Sequence, residues 1–447
     1  MHVIVLGAGE VGSYVAERLS QQNIDVAVVE TDADTLRAVE ERLDVLVVHG
    51  SGIKPSVLAD AGIDRAELLV AVTNDDAVNL MAALVAKQAG VKKSLVRIES
   101  EELRGDAAAE IREIVGAHRY IDPDAETARD ILELLELPGA SEVEYLAGGE
   151  VLIVGARLSE TSSLVGKTLH QVANEYEPNW EFLFGTISRD GETVIPRGNH
   201  ELRAHDMVRV LGKRTYRRDI MELLELPLRA PRRVLLLGGG RTAELVAKPL
   251  VQRGSEVVIV ERDEDRAREL AETLRRVTVL RGDVRDAKVL ADAEIGTFDA
   301  VAALTGEDDA NIISCLFANQ KGAPETLAIA HRLELLPLLN DIGIDASLSP
   351  RTSTADRVLA MLRGEIAGVA TSLEGSVEIL EYEVAPGSQA DGAVVSEMRL
   401  PHDVLLGAVV RDNTAEIARG HSKLLRGDHV VVFAMPDRAT QVGKLFA

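Results

Sequence analysis

Glycines at positions 7, 9 and 12, followed by an acid at 30, are the first residues of this chain whose types and spacing could do chemistry. The run Gly7-Ala8-Gly9-Glu10-Val11-Gly12 comes directly after Val3-Ile4-Val5-Leu6, and a second apolar run, Val26 to Val29, ends at Glu30. Gly7 permits a tight turn, Gly9 lets main chain approach a diphosphate, and Gly12 lets a helix pack closely on the preceding strand. The start of that helix offers unpaired N–H groups to an anion. Glu30 stands where a carboxylate accepts hydrogen bonds from both hydroxyls of an adenine ribose. It also repels a 2′-phosphate, so the pattern favours NAD-type over NADP-type ligands. The chemistry on offer is capture of a dinucleotide.

Those residues need a sheet to hold them. Short apolar runs near 2–6, 25–30, 44–48, 67–72, 94–98 and 119–121 alternate with amphipathic stretches. Such alternation predicts a parallel sheet covered on both faces, the doubly wound α/β class. Ligands of that class sit at the carboxyl ends of the strands, where Glu30, His49-Gly50-Ser51 and Thr73-Asn74 all fall. Asp75 and Asp76 precede a helical stretch, Ala77 to Ala89, and read as its cap more readily than as a metal or acid/base pair. His49 and His331 lack a Cys or His partner at ligand spacing, which favours surface or supporting roles.

The pattern then repeats about 231 residues further on. Val234 to Leu237 leads into Gly238-Gly239-Gly240-Arg241-Thr242-Ala243, and Val257 to Val260 ends at Glu261. His49-Gly50-Ser51 answers to Arg281-Gly282-Asp283, and Thr73-Asn74-Asp75-Asp76 with Asn79 to Thr305-Gly306-Glu307-Asp308 with Asn311. This is an internal duplication. Ala243 in place of the third glycine is tolerable for helix packing, and Arg241 adds a cation over the phosphate position. Gly306 in place of Asn74 loses a polar side chain, and Arg97 has no basic counterpart at Ile329 or Ala330. The second site is therefore expected to be weaker, or to take a different adenine nucleotide.

At 447 residues the chain has room for several domains. A net charge of −24 argues against nucleic acid or an anionic lipid surface as a direct partner. The single cysteine, Cys315, lies in an apolar helical stretch and reads as a small buried filler in a reducing compartment. The chain opens directly on a strand, and no apolar run approaches the ~18–20 residues that cross a bilayer, so a soluble cytoplasmic protein is expected.

The expected organisation is a first nucleotide-binding domain over 1–122, a connecting helix over 123–140 and a small β-rich domain over 141–226. A second nucleotide-binding domain then covers 232–349, with a connecting helix at 350–364 and a second β-rich domain at 365–447. Pro227 to Pro231 forms a proline-rich joint between the halves. The helix after Asp122-Pro123 is too apolar merely to close its own domain. Its stripe could cover its own sheet, the other half or a neighbouring subunit. The β-rich segments carry no His/Asp, Tyr/Lys or Cys/His constellation, so two nucleotide folds each coupled to a small accessory domain suggest a sensor. The competing class is an NAD-dependent oxidoreductase with an unrecognised substrate domain.

In this order of modules, essentially the whole chain resembles the tandem RCK (regulator of K+ conductance) family, and within it the cytosolic subunits of Trk-type potassium uptake systems. Gly7 to Gly12 with Glu30, Ala71-Val72-Thr73-Asn74-Asp75, Val96-Arg97-Ile98, and Gly238 to Thr242 with Glu261 carry the resemblance. It implies two Rossmann-like domains, each followed by a small α+β C-lobe. It further implies a non-enzymatic regulatory ring, a homo-oligomer and specifically a tetramer, docked on the inner face of the cell membrane through an integral-membrane potassium transporter subunit. NAD(H), and also ATP or ADP, would shift its shape. By matching positions Gly7, Ala8, Gly9, Glu10, Val11, Gly12, Glu30, Asp32, Gly50, Ser51, Thr73, Asn74 and Arg97 hold the first nucleotide. Gly238, Gly239, Gly240, Arg241, Thr242, Glu261 and Thr305 hold the second. An RCK regulator of another cation channel or antiporter would share these modules.

Overall fold

The structure, a computed structural model, describes residues 1–21, 24–105, 108–177, 181–363, 370–372, 377–435 and 438–446. The expected start of the second β-rich domain, 365–376, lies outside the described residues except for 370–372. The chain divides into two compact units, Met1–Thr127 with Ser349–Met361 and Ala128–Leu348 with Leu362–Ala447.

The first unit is built on β1 (His2–Leu6), β2 (Asp25–Glu30), β3 (Leu46–His49), β4 (Leu68–Ala71), β5 (Lys93–Arg97) and β6 (Arg119–Ile121), in the order β3-β2-β1-β4-β5-β6. All pairings are parallel. Every residue of β1 is buried, as a strand covered on both faces requires. The helix Glu10–Gln21 turns Val11, Val15, Ala16 and Leu19 inward, a stripe at helical spacing. Strand order reverses between β1 and β4, which opens a crevice at their carboxyl ends. Asp75 caps the helix Asp76–Gln88 by accepting from the N–H groups of Ala77 and Val78, and Asp76 accepts from those of Glu99 and Ser100.

The second unit repeats this sheet with β12 (Arg233–Leu237), β13 (Glu256–Glu261), β14 (Val277–Arg281), β15 (Ala300–Ala303), β16 (Thr326–Ile329) and β17 (Ala346–Leu348), ordered β14-β13-β12-β15-β16-β17. Cys315 is wholly buried in its core.

The connecting helices change places. The first crossing helix, Pro123–Glu136, buries Ala128, Ile131, Leu134 and Leu135 in one core with Val234, Leu236, Val246 and Leu250 of the second sheet domain. Burial of each of the larger side chains contributes roughly 1.5–3 kcal/mol. The second crossing helix, Pro350–Arg363, groups over Ser349–Met361 with the first sheet instead. Of the partners open to this apolar stripe, the structure selects the other half of the same chain.

The first β-rich lobe has β7 (Glu142–Leu146), β8 (Val151–Arg157), β9 (Phe182–Arg189), β10 (Glu192–Val194) and β11 (Met207–Lys213), ordered β10-β9-β11-β8-β7. The second has β18 (Ala370–Ser372), β19 (Glu378–Glu383), β20 (Val404–Arg411), β21 (Thr414–Ile417) and β22 (His429–Ala434), ordered β18-β19-β22-β20-β21. Read from its other edge, the second order is the first. Arg189 grips buried Asp206 at 2.6 and 2.7 Å, and Arg411 grips buried Asp428 at 2.7 Å through both nitrogens.

These lobes share a core. Val151, Ile153 and Leu211 of the first pack with Ile379, Val431 and Phe433 of the second. Glycines in mid-strand make the approach possible, because a Cβ on Gly185 would lie 2.3 Å from the Phe433 ring and one on Gly407 2.9 Å from Leu211. Arg197 reaches across as well, donating to the carbonyls of His402 and Val404 at 2.5 and 3.2 Å.

At the foot of the second sheet, Glu325 is buried. Loss of hydration, and then the nearby Asp345 carboxylate, pushes its pKa up to about 8. A carboxyl raised in this way stabilises the fold fully below its unfolded value, and that contribution is lost as pH rises towards 8. Glu325→Gln is therefore expected to flatten the decline of melting temperature between about pH 5 and pH 8, measured by calorimetry across that range. An unchanged slope would place the titration elsewhere. Among the described residues no helix is long and apolar enough to cross a membrane.

Candidate nucleotide-binding sites

In the first crevice the glycine turn is tied to the sheet from both sides. Gly7 donates to Val29 O at 2.9 Å, Val72 to Leu6 O at 2.9 Å, and Gly50 to Glu30 O at 2.8 Å, so the ends of β1, β2, β3 and β4 meet. Gly7 has φ +96°, and a side chain there would press on Thr73. A Cβ on Gly12 would fall 1.9 Å from Gly7 O, the close packing its type implies. At Gly9 no atom lies within 4 Å of where a side chain would begin. Main chain is bare there, as contact with a diphosphate requires.

Glu30 does more in the protein than a ribose acceptor must. One carboxylate oxygen accepts from Ala8 N–H at 2.7 Å, and the other from Thr31 N–H, Asp32 N–H and the Thr31 hydroxyl at 2.6, 2.9 and 3.0 Å. Partial burial raises its pKa, but these donors outweigh that and hold it below the usual carboxylate range. The acid shapes the turn and keeps lone-pair capacity chiefly on the oxygen facing Ala8.

The other expected residues divide. Thr73 is fixed by Asn79, whose side-chain oxygen accepts from Thr73 N–H and Oγ1 at 3.0 and 2.7 Å while its amide donates to Arg97 O at 3.1 Å. Asn74 Oδ1 accepts from Arg97 at 3.3 Å, which brings the ends of β4 and β5 together, and Glu99 pairs with the same guanidinium. Asp32 caps the helix Ala33–Arg42 through Thr35 N–H, and that bond depresses its pKa. Gly50 and Ser51 follow β3, while Val11 points into the core. His49 donates from Nε2 to Thr31 O at 2.9 Å, a supporting contact.

The second crevice is a cleft of about 400 Å³ lined by the glycine turn Gly238 to Gly240, Glu261, Gly282, Asp283 and Thr305 to Glu307. Glu261 repeats the role of Glu30, accepting from Gly239 N–H at 2.6 Å and Asp263 N–H at 2.7 Å. Gly240 is bare on its outer side, and Asn311 bonds Thr305 as Asn79 bonds Thr73. Its lining excludes Arg241 and Thr242, and Thr242 and Ala243 turn into the core. The cations of this cleft are Arg262 and Arg285, both bound to Glu307 at 2.7 and 3.1 Å. Arg285 also holds the Asp283 pKa down to about 2. Sequence comparison passes over both arginines because Thr31 and Ile53 stand in their places in the first half. Asn311 donates to Ile329 O where Asn79 donates to Arg97 O, so the second crevice carries an apolar residue at the Arg97 position.

The comparisons follow the same division of the chain. The TrkA-N domain matches residues 3–123 and again 234–350, and the TrkA-C domain matches 379–447. A Trk system potassium uptake protein TrkA from Halomonas elongata is 34% identical, covering 100% of this chain and 98% of its own. The chain belongs to the TrkA family. Another TrkA relative, homolog 1 of Methanosarcina mazei, is 32% identical with both chains covered in full. Among solved structures, the GsuK RCK domain superposes on this TrkA-family chain with a TM-score of 0.60, at 16% identity, covering 99% of this chain and 94% of that one. The GsuK channel bound to NAD gives a TM-score of 0.60 at 16% identity, covering 100% and 78%. The TrkA-family fold is thus an RCK fold, with two Rossmann-like parallel sheets and two antiparallel lobes.

Proposed function

We propose that the protein is a nucleotide-sensing regulatory subunit of a Trk-type potassium uptake system. The observation that carries this reading is the duplicated crevice, in which a bare glycine main chain at a helix start faces a carboxylate that organises the turn. Glu30 and Glu261 favour an unmodified adenine ribose, so NAD(H), with ATP and ADP, are the ligands assigned. Gly7 to Glu10, Gly12, Asp32, Gly50, Ser51, Thr73, Asn74 and Arg97 are assigned to the first, and Gly238 to Gly240 and Thr305 to the second. One RCK protein, GsuK, is described in one solved structure as bound to NAD and in another as bound to ADP, which supports the assignment by analogy. The potassium transporter as membrane partner rests on the names of the full-length relatives.

Self-assembly has support from exposed apolar side chains at matching places. Met81 and Ile313 occupy the same position in the two halves and are 47% and 56% exposed, and later helices of the same sheets expose Ile114 at 66% and Leu338 at 55%. A homotetrameric ring in the cytoplasm, held to the membrane through its partner, fits these surfaces. Differential affinity of nucleotides for two shapes of that ring would then bias the transporter.

The test is titration calorimetry of the full chain with NADH and with ADP, paired with potassium flux through the co-reconstituted transporter. Gly240→Asp, which sets a carboxylate on the bare face of the second turn, is expected to remove only the second crevice's share of the binding stoichiometry. Nucleotide-independent flux, or full stoichiometry in the variant, would overturn the reading.

A further inference from the structure

We propose that Arg351, carried by the second crossing helix, is a phosphate-binding residue of the first crevice and is held there by Glu10 until a diphosphate arrives. The proposal rests on the nucleotide reading above and adds a ligand contact from the far half of the sequence. Arg351 Nη2 lies 2.9 Å from Glu10 Oε1. Glu10 is the first residue of its helix and follows Gly9, the glycine whose outer face is bare. The guanidinium is therefore stationed at the helix start that the diphosphate needs.

Two features suit it to more than a static ion pair. Its side chain is only 20% exposed, and its Nε–H is enclosed without an acceptor, although Arg offers five donors in a fixed fork. An enclosed donor without a partner is costly, and phosphate oxygens would satisfy it in the bidentate manner Arg favours. Glu10, at 58% exposure, can leave for solvent when that happens. A carboxylate at this position is otherwise out of place, since it gains from the helix dipole but repels a diphosphate. At the equivalent positions of the repeat the charges are exchanged, with Arg241 at the place of Glu10 and Asp124 at that of Arg351. The first half thus encodes an acid at both of these positions and the second half an arginine at both.

The consequence is a mechanical link, because a ligand that engages Arg351 acts on a helix covalently joined to the second β-rich lobe. The test uses the full chain carrying Gly240→Asp, so that the first crevice alone reports, titrated with ADP and in parallel with adenosine. Arg351→Gln is expected to weaken ADP on the order of ten-fold and leave adenosine unchanged. Glu10→Gln is expected to tighten ADP, the opposite sign, since it removes a competitor for the guanidinium. If the pair is only structural, both variants loosen the helix and weaken ADP and adenosine together, which overturns the proposal. Unaltered ADP binding by Arg351→Gln overturns it as well. Should Arg351→Gln fail to fold, Glu10→Gln decides by its sign. Absence of nucleotide binding in the first crevice of the parent chain would instead sink the nucleotide reading itself, and this inference with it.

Discussion

Phe433→Ala is expected to lower the stability of the second unit by about 3–5 kcal/mol, the usual cost of emptying a buried aromatic site. Phe433 is wholly buried, and its ring fills the space left by Gly185 between the β-rich lobes. For a unit this large the shift is no more than roughly 2 °C per kcal/mol, so melting should fall by several degrees in scanning calorimetry. Leu211, its counterpart against Gly407, should cost less because it is smaller. A loss under about 1 kcal/mol for Phe433→Ala would mean that the lobes do not depend on this packing.

Glu30→Ala should weaken NAD(H) binding at the first crevice by roughly 10²-fold, or about 3 kcal/mol, as read by calorimetry. The substitution removes a ribose acceptor and also strands the N–H groups of Ala8, Thr31 and Asp32. The turn then loses its shape before any ligand comes. Because the folded pKa of Glu30 is depressed, its contribution is present above the ordinary carboxylate value and is lost only as pH falls through the lower folded one. Binding should therefore hold steady from neutral pH down to about 5. Unchanged affinity in the variant would remove Glu30 from the site.

The parts of the fold legible in the sequence were those governed by local rules. Period and composition placed the parallel strands, and the glycine spacing placed the turn between β1 and its helix. The duplication was visible because equivalent residues keep their order. What stayed hidden depended on distant pairing. The stripe on the first crossing helix announced a buried face without saying that Val234 and Leu236 would cover it. Nothing in the sequence around Gly185 and Gly407 signals that Phe433 and Leu211 stand over them. Arg262 and Arg285 were missed because comparison with the first half looks for shared residues, and these are gained. Asn79 and Asn311 were matched in sequence, yet their work of fastening one strand end to the next shows only in the bonds they make.

The exchange of crossing helices also bears on the durability of the molecule. Each sheet wears a helix borrowed from the opposite repeat, so a chain cut at the Pro227–Pro231 joint is expected to keep its two fragments together through those helices. Such an exchange has the form of a domain swap held within one polypeptide. It persists although the repeats differ, the second carrying Arg262 and Arg285 where the first has Thr31 and Ile53, and the first carrying Arg97 where the second has Ile329.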